Sequence, residues 1–327
     1  MTRRAVVAIL ILLALLAGAV LLRLAIGTER LGFAQSDQVA RLRLIRVLAA
    51  CAVGCGLAGA GVLLQALMRN PLAAPDLLGL SAGASLAVLI SAYVGYLATG
   101  AVTPSAADPV SAFIGAVLAL AFVYSLSQRR GFVEPVTLIL VGVVVSILCG
   151  AAGALVKQFM PDGGFAVSRL LVGRISDDLS MGMVTGVLVV VLVCTLIGAA
   201  LGPAMDASSM SDDEAKSVGV SIGRLRAMLF VLAGVMTAGT VVLAGPIGFV
   251  GLVVPHAVRL VVGPSHRGLV IGSALLGASA VLLADSGVRM LPMSTGRLPI
   301  GVVTALVGGP IFLWMLYVSL RRPGGLG

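Results

Sequence analysis

Long apolar windows, each bounded by short polar stretches, dominate the sequence. Ten of them can be placed, and apart from the short eighth window they have about the length of a helix that crosses a lipid bilayer. They lack the alternation of apolar and polar residues over about ten positions that is typical of transmembrane β-strands. We therefore predict an all-α polytopic membrane protein with about ten transmembrane helices, forming a single domain over residues 1–327. The windows lie near residues 5–26, 47–67, 79–98, 110–127, 136–156, 181–201, 227–245, 249–263, 268–288 and 299–320.

Composition supports this prediction and argues against several function classes. Hydrophobic residues make up 59% of the 327 positions and charged residues 11%, whereas soluble domains carry about 25% charged residues. The only lysines, Lys157 and Lys216, do not follow glycine, so the chain has no P-loop motif. Two histidines and four cysteines without a CxxC pair do not suggest a metal site. We expect no enzymatic activity, no directly bound cofactor and no nucleic-acid partner.

The first window follows Arg3 and Arg4 and begins like a secretory signal. Its apolar run extends to residue 26, which is the length of a full span and longer than the usual core of a cleaved signal. We predict that this helix is retained. Ten spans place both termini on one side of the membrane. Eleven basic residues in the segments on that side, against nine on the other, favour cytoplasmic termini.

Several arginines fall on the side that this topology places outside the cytoplasm. Arg41, Arg43 and Arg46 crowd a short stretch before the second window. Arginines at such positions often extend from the hydrocarbon to the interface. Alternatively, the cluster forms a basic rim that binds an acidic partner or ligand. The residues by themselves leave both interpretations open.

The longest polar segment covers residues 203–226 and reads PAMDASSMSDDEAKSVGVSIGRLR. Ser211 and the acids after it favour the start of a helix, and Gly219 favours its end. The pattern predicts a short cytoplasmic helix over residues 211–218. This helix is either a solvated connector or a docking element for a cytoplasmic protein. The second alternative explains the length of the segment, because a simple connection needs fewer residues.

A Gly/Pro-rich break separates the seventh and eighth windows, where residues 244–248 read AGPIG. Irregular backbone at membrane depth is tolerated where it contacts protein or lines a cavity. The break is therefore a candidate for the transport pathway or its gate. A tight turn between two spans is the alternative.

Two other function classes also have sequence features. Residues 79–83 read GLSAG, the pattern of a hydrolase nucleophile elbow, which would make Ser81 an intramembrane nucleophile. The two glycines also suit close helix packing. An ion-coupled secondary transporter needs ionisable groups inside its spans, and Asp285 is a candidate. Its simpler interpretation is a structural partner for an arginine such as Arg289, one helical turn later.

Five stretches together resemble one protein family. Residues 43–46 (RLIR) are similar to its RLPR motif, and residues 65–79 (QALMRNPLAAPDLLG) are similar to its QxxxxNPLAxPxxLG signature. Residues 212–220 resemble its cytoplasmic coupling segment, residues 245–256 (GPIGFVGLVVPH) its GxIGFVGLxxPH string, and residues 298–310 its closing motif. On these grounds the chain is identified as a member of the type II ABC importer permeases, the FecCD-like family that imports iron chelates, haem and cobalamin into bacteria.

The resemblance implies ten helices in the plasma (inner) membrane, with both ends cytoplasmic. It also implies a pathway between two permease subunits, either a homodimer or two related chains, with two cytoplasmic ATPase subunits and an extracytoplasmic substrate-binding protein as partners. We predict a permease for a metal chelate, with a ferric siderophore first and haem and cobalamin next. The family positions carried over are Arg43, Arg46 and Arg289 for the binding protein; Asp212, Asp213, Ala215, Gly219 and Val220 for the ATPase; and Gln65, Asn70, Pro71, Gly245, Pro246, Gly248, Phe249, Gly251, Pro255, His256, Pro299 and Gly301 for the pathway, its gate or the family motifs.

Four positions depart from the family pattern. Ile45 replaces a proline, Ser211 a frequent glycine, Val218 a leucine, and Arg297 a glutamate. Arg297 adds positive charge to the outer face, which suggests a different partner or cargo. The family also places an inner gate at the turn over residues 131–137, where this chain has a Glu-Pro pair.

Overall fold

A computed structural model describes residues 3–26, 32, 36–100, 109–129, 132–161, 171–176, 178–210, 212–290 and 298–320. These residues contain twelve α-helices, a 3-10 turn over Pro75–Leu78 and a two-residue antiparallel hairpin of β1 (Gln128–Arg129) and β2 (Phe132–Val133). In chain order the helices are α1 Arg3–Ala25, α2 Asp37–Met68, α3 Leu80–Thr99, α4 Pro109–Ser127, α5 Pro135–Gln158, α6 Met181–Ala200, α7 Gly202–Ser208, α8 Asp212–Ser217, α9 Ile222–Ala244, α10 Val250–Val262, α11 His266–Met290 and α12 Ile300–Leu320.

The predicted all-α architecture is confirmed. Ten of the helices coincide with the ten apolar windows, and α7 and α8 are the two that lie in the polar segment between windows. Eight helices of the described residues are long and apolar enough to cross a membrane. The apolar parts of α10 and α12 are shorter, and α10 has only 13 residues because it begins after the AGPIG break.

Helix α2 lies at the centre of the bundle. It has 32 residues, and it packs against α11, α9, α6 and α10. Its middle is rich in glycine, alanine and cysteine, which let neighbouring backbones approach closely. Gly54 lies directly against the backbone of Gly277 on α11, and Gly61 lies against the carbonyl of Gly251 on α10. A β-carbon at Gly54 or Gly61 would overlap these backbone atoms.

Helices α3, α4 and α5 form a second cluster, which joins the core through α9. Gly83 on α3 faces the carbonyl of Gly115 on α4, at 2.8 Å from where a Gly83 β-carbon would lie. Gly79 ends the 3-10 turn in a left-handed conformation, with φ of +73°, and a β-carbon there would lie 3.0 Å from the carbonyl of Gly142 on α5. The two glycines of the GLSAG pattern therefore serve helix packing, as one of the two interpretations expects.

Candidate functional site

A buried carboxylate joins three helices where α1 and α11 end and α2 begins. Asp285 Oδ2 accepts a hydrogen bond from Arg23 Nε at 2.6 Å. The same carboxylate accepts from Arg46, with Nη2 at 2.7 Å from Oδ1 and Nε at 3.0 Å from both oxygens. Arg23 and Asp285 are fully buried, and Arg46 is 6% exposed. Two cations thus share one anion inside the protein, and we call these three residues the arginine–aspartate triad.

The triad corrects two predictions. Arg46 was expected to bind an extracytoplasmic partner, but it is buried in the bundle because its guanidinium is bonded to Asp285. Asp285 was expected to be the structural partner of an arginine such as Arg289, one turn later on the same helix, and only the choice of arginine was wrong. Instead, its carboxylate contacts Arg23 and Arg46, since its side of α11 faces α1 and α2.

Arg43 precedes Arg46 by about one helical turn and is half-buried. Its Nη1 donates hydrogen bonds to the carbonyls of Leu24 at 2.5 Å and Gly32 at 2.7 Å. Arg289 is half-buried in the last turn of α11. The docking roles of Arg43 and Arg289 stay predictions, and Arg297 lies outside the described residues.

Helix α8 matches the short helix expected in the polar segment. Gly219 has φ of +85°, and the N–H groups of Gly219 and Val220 bond to the carbonyls of Lys216 and Ala215, both at 2.9 Å. This pair of bonds is a Schellman cap, which needs a left-handed residue and so favours glycine. Ser211, the expected start of the helix, lies outside the described residues.

One side of α8 faces the chain itself. Ala215 is fully buried, which corrects its assignment as a contact for an ATPase, because a residue covered by its own chain offers no surface to a partner. Asp213 and Lys216 lie on the other side and form an exposed ion pair at 3.0 Å. Val218 is 69% exposed. The surface available to a partner is therefore the Asp213, Lys216 and Val218 side, and docking there stays a prediction.

Helix α7 is bonded to the start of α11. Asp206 Oδ1 accepts from the backbone N–H of His266 at 2.9 Å and lies 2.6 Å from His266 Nδ1. Gly202, at the start of α7, leaves space for the backbone of Arg267; a β-carbon at Gly202 would lie 2.7 Å from the Arg267 nitrogen. The segment that leads to α8 is thus fixed to α11.

The residues of the QxxxxNPLA signature form the turn that ends α2. Asn70 N–H bonds to the carbonyl of Gln65 at 3.1 Å, and Asn70 Oδ1 accepts from the N–H of Leu72 at 2.9 Å. Pro71 stands between them, in the middle of this asparagine-type turn. Gln65 Oε1 also accepts a long bond, at 3.4 Å, from Arg259 Nη2 on α10.

The AGPIG break is a contact point between three segments. Gly245 has φ of +66° and ends α9, and Phe249 has φ of +68° immediately before α10. The carbonyl of Ala244 accepts from the N–H of Arg174 at 2.8 Å. The carbonyl of Pro246 lies directly against Gly173.

Residues around the break continue this packing. The N–H of Gly301, in the first turn of α12, bonds to the carbonyl of Gly173 at 3.0 Å, so the beginning of α12 joins the same contact point after Pro299. Gly248 lies beside the carboxylate of Asp76, whose Oδ2 is 3.6 Å from where a Gly248 β-carbon would be. Whether these segments gate a pathway stays a prediction.

Pro255 lies inside α10 and has no N–H to bond to the carbonyl of Gly251, four residues earlier. That carbonyl lies against Gly61 of α2. The missing helix bond and the two glycines together allow α10 to approach the central helix. His256 follows Pro255 and is half-buried.

A cavity of about 720 Å³ lies between α3, α4, the end of α9 and residues 171–179. Its polar lining includes Ser85, Arg174 and Asp178, and its apolar lining includes Val88 and Leu179. None of these residues has a role among the predictions made from the sequence. The signal available was the stretch between the fifth and sixth windows, residues 157–180, which carries six charged residues.

The comparison with a family model decides the relationship of this chain to known proteins. The model of the FecCD transport family matches residues 6–318. The chain belongs to the FecCD transport family. The match covers both ends of the bundle and every residue of the triad.

Curated relatives of this FecCD-family chain are permeases of three import systems. The cobalamin import system permease protein BtuC of Halobacterium salinarum is 35% identical over 283 residues, which are 85% of this chain and 73% of the relative. The hemin transport system permease protein HmuU of Yersinia pestis is 34% identical over 289 residues, 87% of this chain and 84% of the relative. The Fe(3+)-citrate import system permease protein YfmE of Bacillus subtilis is 31% identical over 304 residues, 91% and 88% of the two chains.

A solved structure has the same fold. It is described as a metal-chelate type ABC transporter in an inward-facing conformation. Its TM-score to this chain is 0.83 at 29% sequence identity, and the match covers 96% of this chain and 99% of the other. The helix arrangement described above is therefore that of a FecCD-family permease.

In this FecCD-family chain the GLSAG pattern does not form a nucleophile elbow. Ser81 lies in the first turn of α3, which follows a 3-10 turn and not a strand. Its Oγ is buried and has no hydrogen-bond partner, and neither His256 nor His266 is bonded to it in the described part of the chain. The serine hydrolase interpretation is not supported.

Three residues that hold this FecCD-family site together were not predicted from the sequence. Arg23 is the only charged residue in the window over residues 5–26, and an arginine inside a span is expected to have a partner. Asp285, the acid inside another span, was the available candidate for the partner of Arg23. Arg259 on α10 is a second arginine inside a window. Asp206 gave no comparable signal, because acids in polar segments are usually solvated.

Proposed function

We propose that this chain is the membrane permease of an ATP-driven type II importer and that it carries a metal chelate into the cell. The observation that carries the proposal is the family match over residues 6–318, together with relatives named for the import of cobalamin, hemin and ferric citrate. Each of these three cargoes is a metal ion held in an organic chelate. A ferric siderophore belongs to the same chemical class and is the cargo that we test first.

The pathway runs between two copies of the chain, or between this chain and a related permease. Helices α5 and α12 support this arrangement, because each turns large apolar side chains away from its own bundle. Leu306 and Trp314 on α12 are 71% and 65% exposed, and Leu140 on α5 is 62% exposed. Apolar faces of this kind are covered by lipid or by a second subunit.

A cytoplasmic ATPase docks on the segment around α8. Met210 and Val218 support this position, since they are 72% and 69% exposed in the longest polar segment of the chain. Exposed apolar side chains rimmed by polar residues are typical of interaction sites. With the ATPase on this face, both termini of the permease are cytoplasmic.

A substrate-binding protein docks at the opposite end of the bundle, through Arg43 and Arg289. Helix α11 relates the two faces. It starts at His266, which is bonded to Asp206 of α7, and it carries Asp285 and Arg289 near its other end. Its 25 residues correspond to a rod about 37 Å long, roughly the thickness of a bilayer with its interfaces.

Reconstitution tests the proposal. The permease is placed in proteoliposomes with the ATPase and the binding protein encoded beside it, and radiolabelled ferric siderophore, haem and cobalamin are supplied separately. We expect ATP-dependent accumulation of one of them, and none with an ATPase variant that cannot hydrolyse ATP. Accumulation that continues without ATP and stops with a protonophore would overturn the proposal in favour of an ion-coupled secondary transporter.

A further inference from the structure

The end of α1 touches both arginines of the RLIR motif. Arg23 shares the carboxylate of Asp285 with Arg46, and the next residue, Leu24, offers its carbonyl to Arg43 Nη1. One short stretch of α1 is therefore fixed by a buried ion pair and in turn fixes the half-exposed Arg43. Arg41, on the same part of α2, is exposed and serves as a comparison.

The charge balance of the triad shows that Arg23 is not needed to neutralise it. Asp285 and Arg46 alone would form a balanced buried pair, whereas Arg23 adds a second buried cation. The Nη1 and Nη2 atoms of Arg23 are buried and have no hydrogen-bond partner among the residues that the structure describes. A buried cation that is incompletely paired opposes folding, so the presence of Arg23 calls for a role other than stability.

We propose that Arg23 is a positioning residue for the docking of the binding protein: it anchors the end of α1 on Asp285 and thereby holds Arg43 in its bound orientation. This inference rests on the proposed function, in which Arg43 contacts the binding protein. An arginine side chain loses conformational entropy when a partner fixes it. Because two backbone carbonyls already hold one end of the Arg43 guanidinium, less entropy is lost on docking, and affinity rises.

The test compares the affinities of five variants for the binding protein encoded beside the permease. The permease–ATPase complex is held in lipid nanodiscs, and association is measured over a series of salt concentrations. The variants are Arg43→Met, Arg23→Met, the double variant, Arg23→Lys and the control Arg41→Met. Methionine fills a similar volume without charge, and lysine retains an ion pair with Asp285.

We expect Arg43→Met and Arg23→Met each to weaken association by roughly tenfold and to reduce its dependence on salt. The double variant is expected to match Arg43→Met alone, because Arg23 acts through Arg43. Arg23→Lys is expected to restore most of the affinity, and Arg41→Met to bind like the wild type. The melting temperature of Arg23→Met is expected to equal or exceed that of the wild type, since the balanced Arg46–Asp285 pair remains.

Three results would overturn the inference. Wild-type affinity in Arg23→Met, with weaker binding in Arg43→Met, would show that Arg23 does not act on docking. If the affinity losses of the two single variants multiply in the double variant, the two residues act independently. Wild-type affinity in Arg43→Met would remove the residue through which Arg23 is proposed to act. If Arg23→Met does not fold, Arg23→Leu, which likewise leaves Asp285 bonded to Arg46 alone, takes its place in the cycle. No association of the wild type with the binding protein would instead overturn the proposed function.

Discussion

Asp206 caps a helix that begins 60 residues later. Its Oδ1 accepts from the backbone N–H of His266 at 2.9 Å and lies 2.6 Å from the Nδ1 of the same residue. The N–H groups in the first turn of a helix have no partner within the helix, and in α11 one of them is satisfied by a carboxylate from α7. The contact ties the segment that carries α8 to the helix that carries Asp285.

Replacing Asp206 with alanine is expected to destabilise the protein. Loss of a capping carboxylate costs about 0.5–2 kcal/mol, and the contact with the His266 ring is lost as well. The measurement is thermal unfolding of the detergent-solubilised permease. Asp213→Ala is the matched control, because the Asp213 carboxylate is 95% exposed and pairs only at the surface with Lys216. Equal melting temperatures for the two variants would contradict the role of Asp206.

Removing the charge of Asp285 is expected to destabilise the folded permease far more than the loss of Asp206 does. Asp285→Asn leaves Arg23 and Arg46 buried without an anion, and loss of one partner from a buried ion pair costs about 3–5 kcal/mol. We expect little folded protein by size-exclusion chromatography of the solubilised permease. Asp178→Asn, at an exposed acid, is the control and is expected to purify normally. A monodisperse Asp285→Asn variant with wild-type stability would show that the triad is not required for folding.

A methyl group at Gly54 is expected to separate α2 from α11. The β-carbon of Gly54→Ala would overlap the backbone of Gly277, and overpacking of a tight core costs about 1–3 kcal/mol. Gly18→Ala is the matched control, since nothing lies within 4 Å of its β-carbon position and alanine is the better helix former. We expect the melting temperature to fall in Gly54→Ala and to stay or rise in Gly18→Ala. A fall of the same size in both variants would exclude close packing as the cause.

A substitution on the exposed side of α8 tests ATPase docking without changing the stability of the permease. Val218→Lys replaces a 69% exposed valine with a cation near the C-terminus of α8, where a positive charge is favourable. We expect an unchanged melting temperature of the permease alone and a lower yield of co-purified ATPase. A substitution at Ala215 cannot separate these effects, because Ala215 is buried within the permease. Wild-type co-purification of the ATPase with Val218→Lys would place the docking surface elsewhere.

The sequence by itself determined the features that depend on local chemistry and on the bilayer. Ten apolar windows predicted ten helices, because only a helix satisfies its backbone within a single segment in hydrocarbon. The end of α8 followed from Gly219, since a left-handed residue costs least when it has no β-carbon. The break between α9 and α10 followed from its glycines and Pro246, which are poor helix formers.

Only the tertiary structure decided which side of each helix faces the interior. A helix that is apolar on all sides gives no amphipathic signal for its buried face, so the burial of Arg46 and the partners of Asp285 could not be derived from sequence spacing. The i,i+4 rule favoured Arg289, but Asp285 bonds to Arg23, 262 positions away. Ala215 is buried for a similar reason, since α8 packs against α7 and α9. Contacts between distant segments, and not local propensity, determine these positions.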